Sequence, residues 1–300
     1  MSKKLINWID YVIISCDQNP DYKNLMPYCI KRWNDLGVKV IYIDIDEDHI
    51  NPDFNMVKIP MDYGYLIKLP KFNPYPKVLH RYFYITITRF IAACDPDLSK
   101  KVITISDADL FVVNKNLYLK PGINNNLIQE VTNQNKLVCL TKYCSDYTNP
   151  PELMSIDEGF YHYPNACNQI ALGETWQLCL NDMFIQGVNS VMRFAEEMAW
   201  NIGRVYMNEE HYISQLYENK LDKLIVYENR IENCREAHMF TLKDHQLKNI
   251  HSWHDLCPFI EFHGIRPSYT SNQFFDKFFN LVDDFDRYDI PCPNYFYNYA

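Results

Sequence analysis

Long apolar runs are missing from this chain. No uninterrupted stretch reaches the ~18 residues that a membrane-spanning helix needs, so no transmembrane segment is expected. Long basic runs are missing too, and the formal net charge is −9. An acidic chain of this kind is a poor partner for nucleic acid or an anionic membrane surface. Residues 1–10 lack the apolar core of a secretory signal. No Asn-x-Ser/Thr glycosylation site occurs anywhere. These absences point to a cytoplasmic protein. Cysteine is not scarce, with ten residues, but no two have Cys-x-x-Cys spacing. They are scattered through apolar stretches, which reads as buried reduced thiols rather than a zinc or redox motif.

What is present supports a sizeable folded unit. Of 300 residues, 47% are hydrophobic and 15% aromatic, including 23 Tyr. No flexible linker and no internal repeat divides the chain, so one domain over residues 1–300 is expected. Tyr11–Ser15 reads as a short buried strand. From Tyr22 to Leu36, Leu25, Met26, Cys29, Ile30, Trp33 and Leu36 recur at helical spacing, and Gly37 ends the run. Val38–Ile45 is a second strand, so β-α-β opens the chain and an α/β fold with a mostly parallel sheet follows. Residues 51–76, rich in Pro, Asn and aromatics, read as an ordered loop. Val78–Ala93 reads as an aromatic-rich helix, and a short helix is expected within 122–135. Leu137–Lys142 and Leu224–Tyr227 read as strands. Residues 143–168 read as a long functional loop. Helices are predicted at Asn189–Tyr206, Glu209–Tyr217 and Phe274–Phe285.

The segment Lys101–Val113 carries the most chemistry. An apolar strand delivers Asp107 and Asp109, and a second apolar strand follows at once. On an extended chain these two carboxylates point to the same side. Two hard oxygen anions there suit Mg2+ or Mn2+ with coordination positions left for a diphosphate. Buried without a cation or donors, the pair would be costly. The other acidic pairs read differently: Asp95/Asp97 as turn residues beside Pro96, Asp44/Asp46 as a solvated turn, and Asp284/Asp286 as a polar helix end.

The run Thr88–Asp95 followed by Asp107-Ala108-Asp109-Leu110-Phe111-Val112 resembles the GT-A fold glycosyltransferases, and its features are similar to the family-8-like branch. That resemblance implies a Rossmann-like mixed, mostly parallel sheet flanked by helices, with a nucleotide-binding half over about 1–115 and an acceptor half over about 116–300. It implies Mn2+ (or Mg2+) held by Asp107 and Asp109 against the donor diphosphate, with Arg89 contacting the donor or steadying the acids. Tyr11–Asp17 is similar to the family's first strand, so Ser15, Cys16 and Asp17 would line the nucleotide pocket, as would Ala108. Asn208–Ser214 is similar to an acceptor-side segment, placing Glu209, Glu210 and His211 there. Phe262-His263-Gly264-Ile265-Arg266-Pro267 is similar to a late loop in which His263 would be the third metal ligand and Arg266 would hold phosphate, with His251 and His254 as competing ligands.

The function implied is metal-dependent transfer of a sugar from a nucleotide sugar, most naturally a UDP-sugar, to a hydroxyl on a glycan, lipid or protein. Asp109, Glu209 and Glu210 are the catalytic candidates. Tyr161, His162, Tyr163, Trp176 and His211 are the acceptor-side candidates, since sugar rings stack on aromatics. Retention is favoured over inversion. The alternatives are a haloacid-dehalogenase-type phosphatase, which also uses Asp-x-Asp after a strand, and a nucleotide-sugar-binding protein without turnover. A sugar-nucleotide pyrophosphorylase fits less well, because Cys16–Pro20 contains no Gly for a phosphate loop.

Overall fold

The computed structural model describes residues 5–45, 57–62, 64–68, 78–119, 127–140, 168–181, 222–226, 241–243, 249–259, 261–263 and 272–288, with single residues at 213, 220 and 290. The chain opens as β1 (Tyr11–Cys16), α1 (Pro20–Lys23), α2 (Met26–Asp35) and β2 (Lys39–Asp44). Every residue of β1 is buried, as expected of a strand covered on both faces. The single helix expected over 22–36 is two. Asn19 caps the first, its side chain accepting from the Asp21 N–H at 3.1 Å. Pro27 sits in the first turn of the second, and a helix running unbroken through it would lose a hydrogen bond and clash. Gly37 ends α2 at φ +85°.

Residues 57–68 correct the loop expected there. They form a hairpin of β3 (Val57–Met61) and β4 (Gly64–Lys68), with β4 lying parallel to β2. Gly64 has φ +141°, and a Cβ there would lie 2.3 Å from the Val40 carbonyl oxygen. Only glycine lets β4 approach β2 so closely. Pro60, which cannot donate to a ladder, lies on the outer strand where this is tolerated.

Helix α3 (Val78–Ala93) follows, then β5 (Val102–Ile105) and β6 (Leu110–Val112). Short helices span Asn116–Leu119 (α4) and Leu127–Thr132 (α5), and β7 is Leu137–Cys139. An unexpected strand, β8 (Gln169–Leu172), leads into helical residues 173–181. β9 is Leu224–Val226, β10 Thr241–Lys243 and β11 Glu261–His263, and the last described helix is Asn272–Phe285. The larger sheet has the order β3-β4-β2-β1-β5-β8-β7-β9. Strands β4, β2, β1, β5, β7 and β9 run one way, and β3 and β8 run the other. This is the mixed, mostly parallel α/β architecture that the sequence led us to expect.

Cores fill both faces of the sheet. One packs α2 and helix Asn272–Phe285 around Trp33, Phe111, Phe262 and Phe278, and the other packs α3 and residues 173–181 around Phe90 and Trp176. β5 shows the alternation: Val102 joins the first core, Ile103 and Ile105 the second.

A second sheet, β10-β11-β6, begins where β5 ends. The apolar run after the acids therefore does not extend β5. It leaves the main sheet and pairs antiparallel with β11. The helices expected at Asn189–Tyr206 and Glu209–Tyr217 lie outside the described residues, apart from buried, helical Ile213. Among the described residues no helix is long and apolar enough to cross a membrane.

Candidate functional site

Parallel strands deliver their carboxyl ends to one edge of a sheet, and ligands favour that edge. Here β1 ends at Cys16-Asp17, β2 at Asp44, and β5 at Ser106-Asp107, with the start of antiparallel β8 opposite Ile105. Between β5 and β6 the chain turns through Ala108-Asp109, and the Leu110 N–H donates to the Asp107 carbonyl at 3.4 Å. This corrects the extended geometry expected for the two acids. The turn separates them: the Asp107 side chain is 36% exposed, whereas Asp109 is 2% exposed. Asp107 is the more open of the two acids, and Asp109 is buried just before β6.

Arg89 lies one layer behind. It is buried in α3, its Nη1 donates to the Ser106 carbonyl at 2.8 Å, and the same nitrogen pairs with Asp107 Oδ1. Of the two acids, Asp107 is the one this contact reaches. In the second sheet, β11 pairs with β6 in a register that sets His263 opposite Leu110, directly beside Asp109. The backbone thus brings His263 to the acid turn from over 150 residues away, and its side chain lies outside the described residues. Among the described residues, no group of three or more His, Cys, Asp or Glu side chains is arranged to hold a metal ion.

The strand ends carry further polar structure. Asp17 is buried and accepts from the Asn19 N–H at 3.0 Å. Ser15 and Cys16 lie at the carboxyl end of β1 with their side chains turned to partners inside the fold. The Ser15 hydroxyl donates to the Ile85 carbonyl at 2.6 Å and so ties β1 to α3, and the Cys16 thiol donates to the Asp17 carbonyl at 3.0 Å within the core. Burial, and then the neighbouring carboxylate of Asp17, pushes the Cys16 thiol up to about 12, so it stays protonated. Cys29 is raised as well, by burial first and then by Asp109 and Asp107.

Two features at this edge have no counterpart in the sequence pattern. The Lys23 ammonium pairs with Asp44 and donates to the Tyr42 hydroxyl at 2.8 Å, while the Gln18 amide donates to Asp44 at 2.8 Å. Asn168, buried at φ +59°, donates its N–H to the Ile105 carbonyl at 2.7 Å and accepts from the Tyr118 hydroxyl at 2.7 Å. An Asn tolerates the left-handed region, but nothing in its sequence context marks it.

Trp176 requires a plain correction. It is 0% exposed, packs edge-on against Phe90, and donates its indole N–H to the Ile103 carbonyl at 3.3 Å. A ring with both faces in the core cannot stack on a sugar. His251 and His254 are exposed, and His254 stacks on Trp253 with 3.6 Å between ring centroids. Asp286, expected on a polar surface, is instead buried against Arg32. Asp95 caps a short 3-10 turn, accepting from the Asp97 N–H at 3.0 Å, as its turn reading requires. Tyr161, His162, Tyr163, Glu209, Glu210, His211, Gly264 and Arg266 lie outside the described residues.

No family model matches the chain, and no curated protein matches it in sequence. Several solved structures are similar to it. The galactosyltransferase LgtC in complex with donor and acceptor sugar analogs is 12% identical, with 91% of this chain and 95% of that one covered and a TM-score of 0.42. An active-site mutant of LgtC is 13% identical over the same shares, with a TM-score of 0.44. The glycosyltransferase GlyE of Streptococcus pneumoniae TIGR4 is 14% identical, with 96% of this chain and 65% of that one covered and a TM-score of 0.42.

Proposed function

We propose that this protein is a metal-dependent glycosyltransferase that moves a sugar from a nucleotide sugar, in the first instance a UDP-sugar, to a hydroxyl acceptor, with retention at the anomeric carbon. The observation that carries this reading is the acid turn. Asp107 and Asp109 stand at the carboxyl edge of a mostly parallel sheet, where the chain passes from one sheet to another, with Arg89 locked behind Asp107.

The donor set fits a hard divalent cation: two carboxylates, one partly exposed and one buried. Asp107 and Asp109 would hold that ion, with His263 as the third candidate through the register of β11. When bound, the cation supplies neutralisation of charge on a leaving diphosphate. The protein's own groups do the rest. Arg89 fixes the more open carboxylate and brings a positive charge to the same edge. Asp17 and the Gln18–Lys23–Asp44 cluster line the ends of β1 and β2 and offer hydrogen-bonding groups to a nucleoside. Arg266 is the second phosphate-binding candidate. Glu209, Glu210, His211, Tyr161 and His162 are the acceptor-side candidates.

The test is turnover of UDP-sugars with and without Mn2+, for the wild type and for Asp107→Ala/Asp109→Ala. The wild type should show Mn2+-dependent release of UDP, and the double variant should lose it by on the order of 100-fold or more, since electrostatic stabilisation by a metal is worth several kcal/mol. Proton NMR of the first-formed product should show the donor's anomeric configuration. Equal turnover by the two proteins would reject the metal site, and an inverted product would reject retention.

A further inference from the structure

We infer that Arg32, locked by Asp286, is a positioning residue that fixes β6, the strand that follows directly on Asp109. The inference rests on reading the acid turn as a cation–diphosphate site.

Strand β6 has only three residues, and β11 pairs with one of its edges. Side chains of α2 hold backbone carbonyls of the same segment. Cys29 Sγ lies 3.9 Å from the Asp107 carbonyl oxygen and 3.7 Å from that of Leu110. One turn further along α2, Arg32 Nε donates to the Val112 carbonyl at 2.6 Å and Nη2 to the Val113 carbonyl at 3.1 Å. Residues three apart on a helix share a face, so Cys29 and Arg32 grip the head and tail of one short segment together.

Asp286, just beyond helix Asn272–Phe285, sets the guanidinium. It accepts from Nη1 at 2.7 Å and from Nη2 at 3.3 Å. Neither side chain is open to solvent. The Lys115 ammonium donates to the Asp286 backbone carbonyl, closing the pocket from the β6 side.

A buried ion pair is a poor way to gain stability, because desolvation offsets most of the attraction and apolar side chains of similar size often do as well or better. An apolar pair cannot supply directed bonds to two successive carbonyls. Those bonds set where β6 lies along its own axis. Asp109 is the residue before β6, about 10 Å from Val112 at strand rise. A slip at the tail moves the acid at the head, and a catalytic constellation tolerates only about 0.5 Å of such error.

The experiment compares wild type, Arg32→Lys and the apolar double variant Arg32→Met/Asp286→Leu. Each is measured for its thermal midpoint without ligand and for its calorimetric dissociation constant for UDP in the presence of Mn2+. Where turnover is present, the Mn2+ concentration giving half-maximal rate is read separately from kcat. The double variant should stay folded, because replacing the buried ion pair offsets much of the loss of the two carbonyl hydrogen bonds, yet bind UDP with Mn2+ at least roughly tenfold more weakly, as expected when a site is loosened and the fold is intact. Arg32→Lys keeps the charge and loses the fork, and it should weaken binding in the same direction. A purely structural role would move the midpoint and leave affinity alone. A folded double variant with wild-type affinity overturns the inference. If the double variant does not fold, wild-type affinity in Arg32→Lys overturns it instead. A wild type that shows no Mn2+-dependent UDP binding sinks the metal-site reading and this inference together, whereas the other two results sink the inference alone.

Discussion

Two Arg–Asp pairs grip opposite ends of the same strip of chain, and they are built for different work. At the head, Arg89 pairs with Asp107, whose side chain remains 36% exposed. At the tail, Arg32 pairs with Asp286, whose side chain is 0% exposed and held through both oxygens. The chemistry is the same and the surroundings differ. A carboxylate met by an arginine on one side and solvent on the other keeps capacity to bind something else. A carboxylate held through both oxygens and closed off from solvent has no open side from which a ligand could reach it. Sequence spacing cannot separate these cases, because Asp107/Asp109 and Asp284/Asp286 are the same pattern. Burial separates them.

The comparison breaks most sharply at the buried pair. Asp286→Ala leaves the Arg32 guanidinium charged and unpaired in the core, and should cost about 3–5 kcal/mol of stability. Asp107→Ala also takes a partner from buried Arg89, but the carboxylate lost is partly solvent-exposed and Arg89 keeps its bond to the Ser106 carbonyl, so the cost in urea unfolding should be smaller, about 1–3 kcal/mol. Comparable losses at both positions would erase the distinction. Trp176→Ala belongs with the buried pair, at about 3–5 kcal/mol, because its ring fills the core between β5 and α3. A stable variant with impaired acceptor binding would restore the surface role that its burial excludes. Gly64→Ala should cost about 1–3 kcal/mol from strained backbone, plus whatever the Val40 contact adds, and should leave UDP binding intact. Arg89→Lys acts at the exposed pair. It should lose one charge-assisted hydrogen bond, about 1.5–3 kcal/mol of local interaction, read as weaker Mn2+-dependent UDP binding.

A separate prediction concerns pH. The thiols of Cys16 and Cys179 are pushed up to about 12, by burial first, from an ordinary value near 9.0. Their neutral forms belong to the fold. Their contribution to stability is complete below pH 9, and it declines as pH rises through the interval to about 12. Thermal midpoints from pH 8 to pH 11 should therefore fall, and Cys16→Ala and Cys179→Ala should flatten the slope. A pH-independent midpoint in the wild type would contradict the buried-thiol account.

Much of this architecture was legible in the sequence, and the parts that were not share a cause. β1, β2, α3 and helix Asn272–Phe285 show themselves through apolar period and punctuation within a dozen residues. The acid pair was visible because an apolar strand leads straight into it. The β3–β4 hairpin was not, because its register depends on Gly64 meeting Val40 in β2, a contact that no local pattern encodes. β8 was missed for the same reason, since its partners are β5 and β7. The split between two sheets after Asp109 depends on β11, which arrives late in the chain. The burial of Asp286 depends on Arg32, 254 residues earlier. Local signals located the acid pair, and long-range pairings decided which strands and helices surround it.

The central claim is that Asp107 and Asp109 together hold a divalent cation against a nucleoside diphosphate. Calorimetric titration of UDP into the wild type and into Asp107→Ala/Asp109→Ala, each with and without Mn2+, tests it most directly. The account predicts Mn2+-dependent binding in the wild type and none in the double variant, with both proteins folded at the temperature of the titration. Mn2+-dependent binding of equal affinity in both proteins would contradict it.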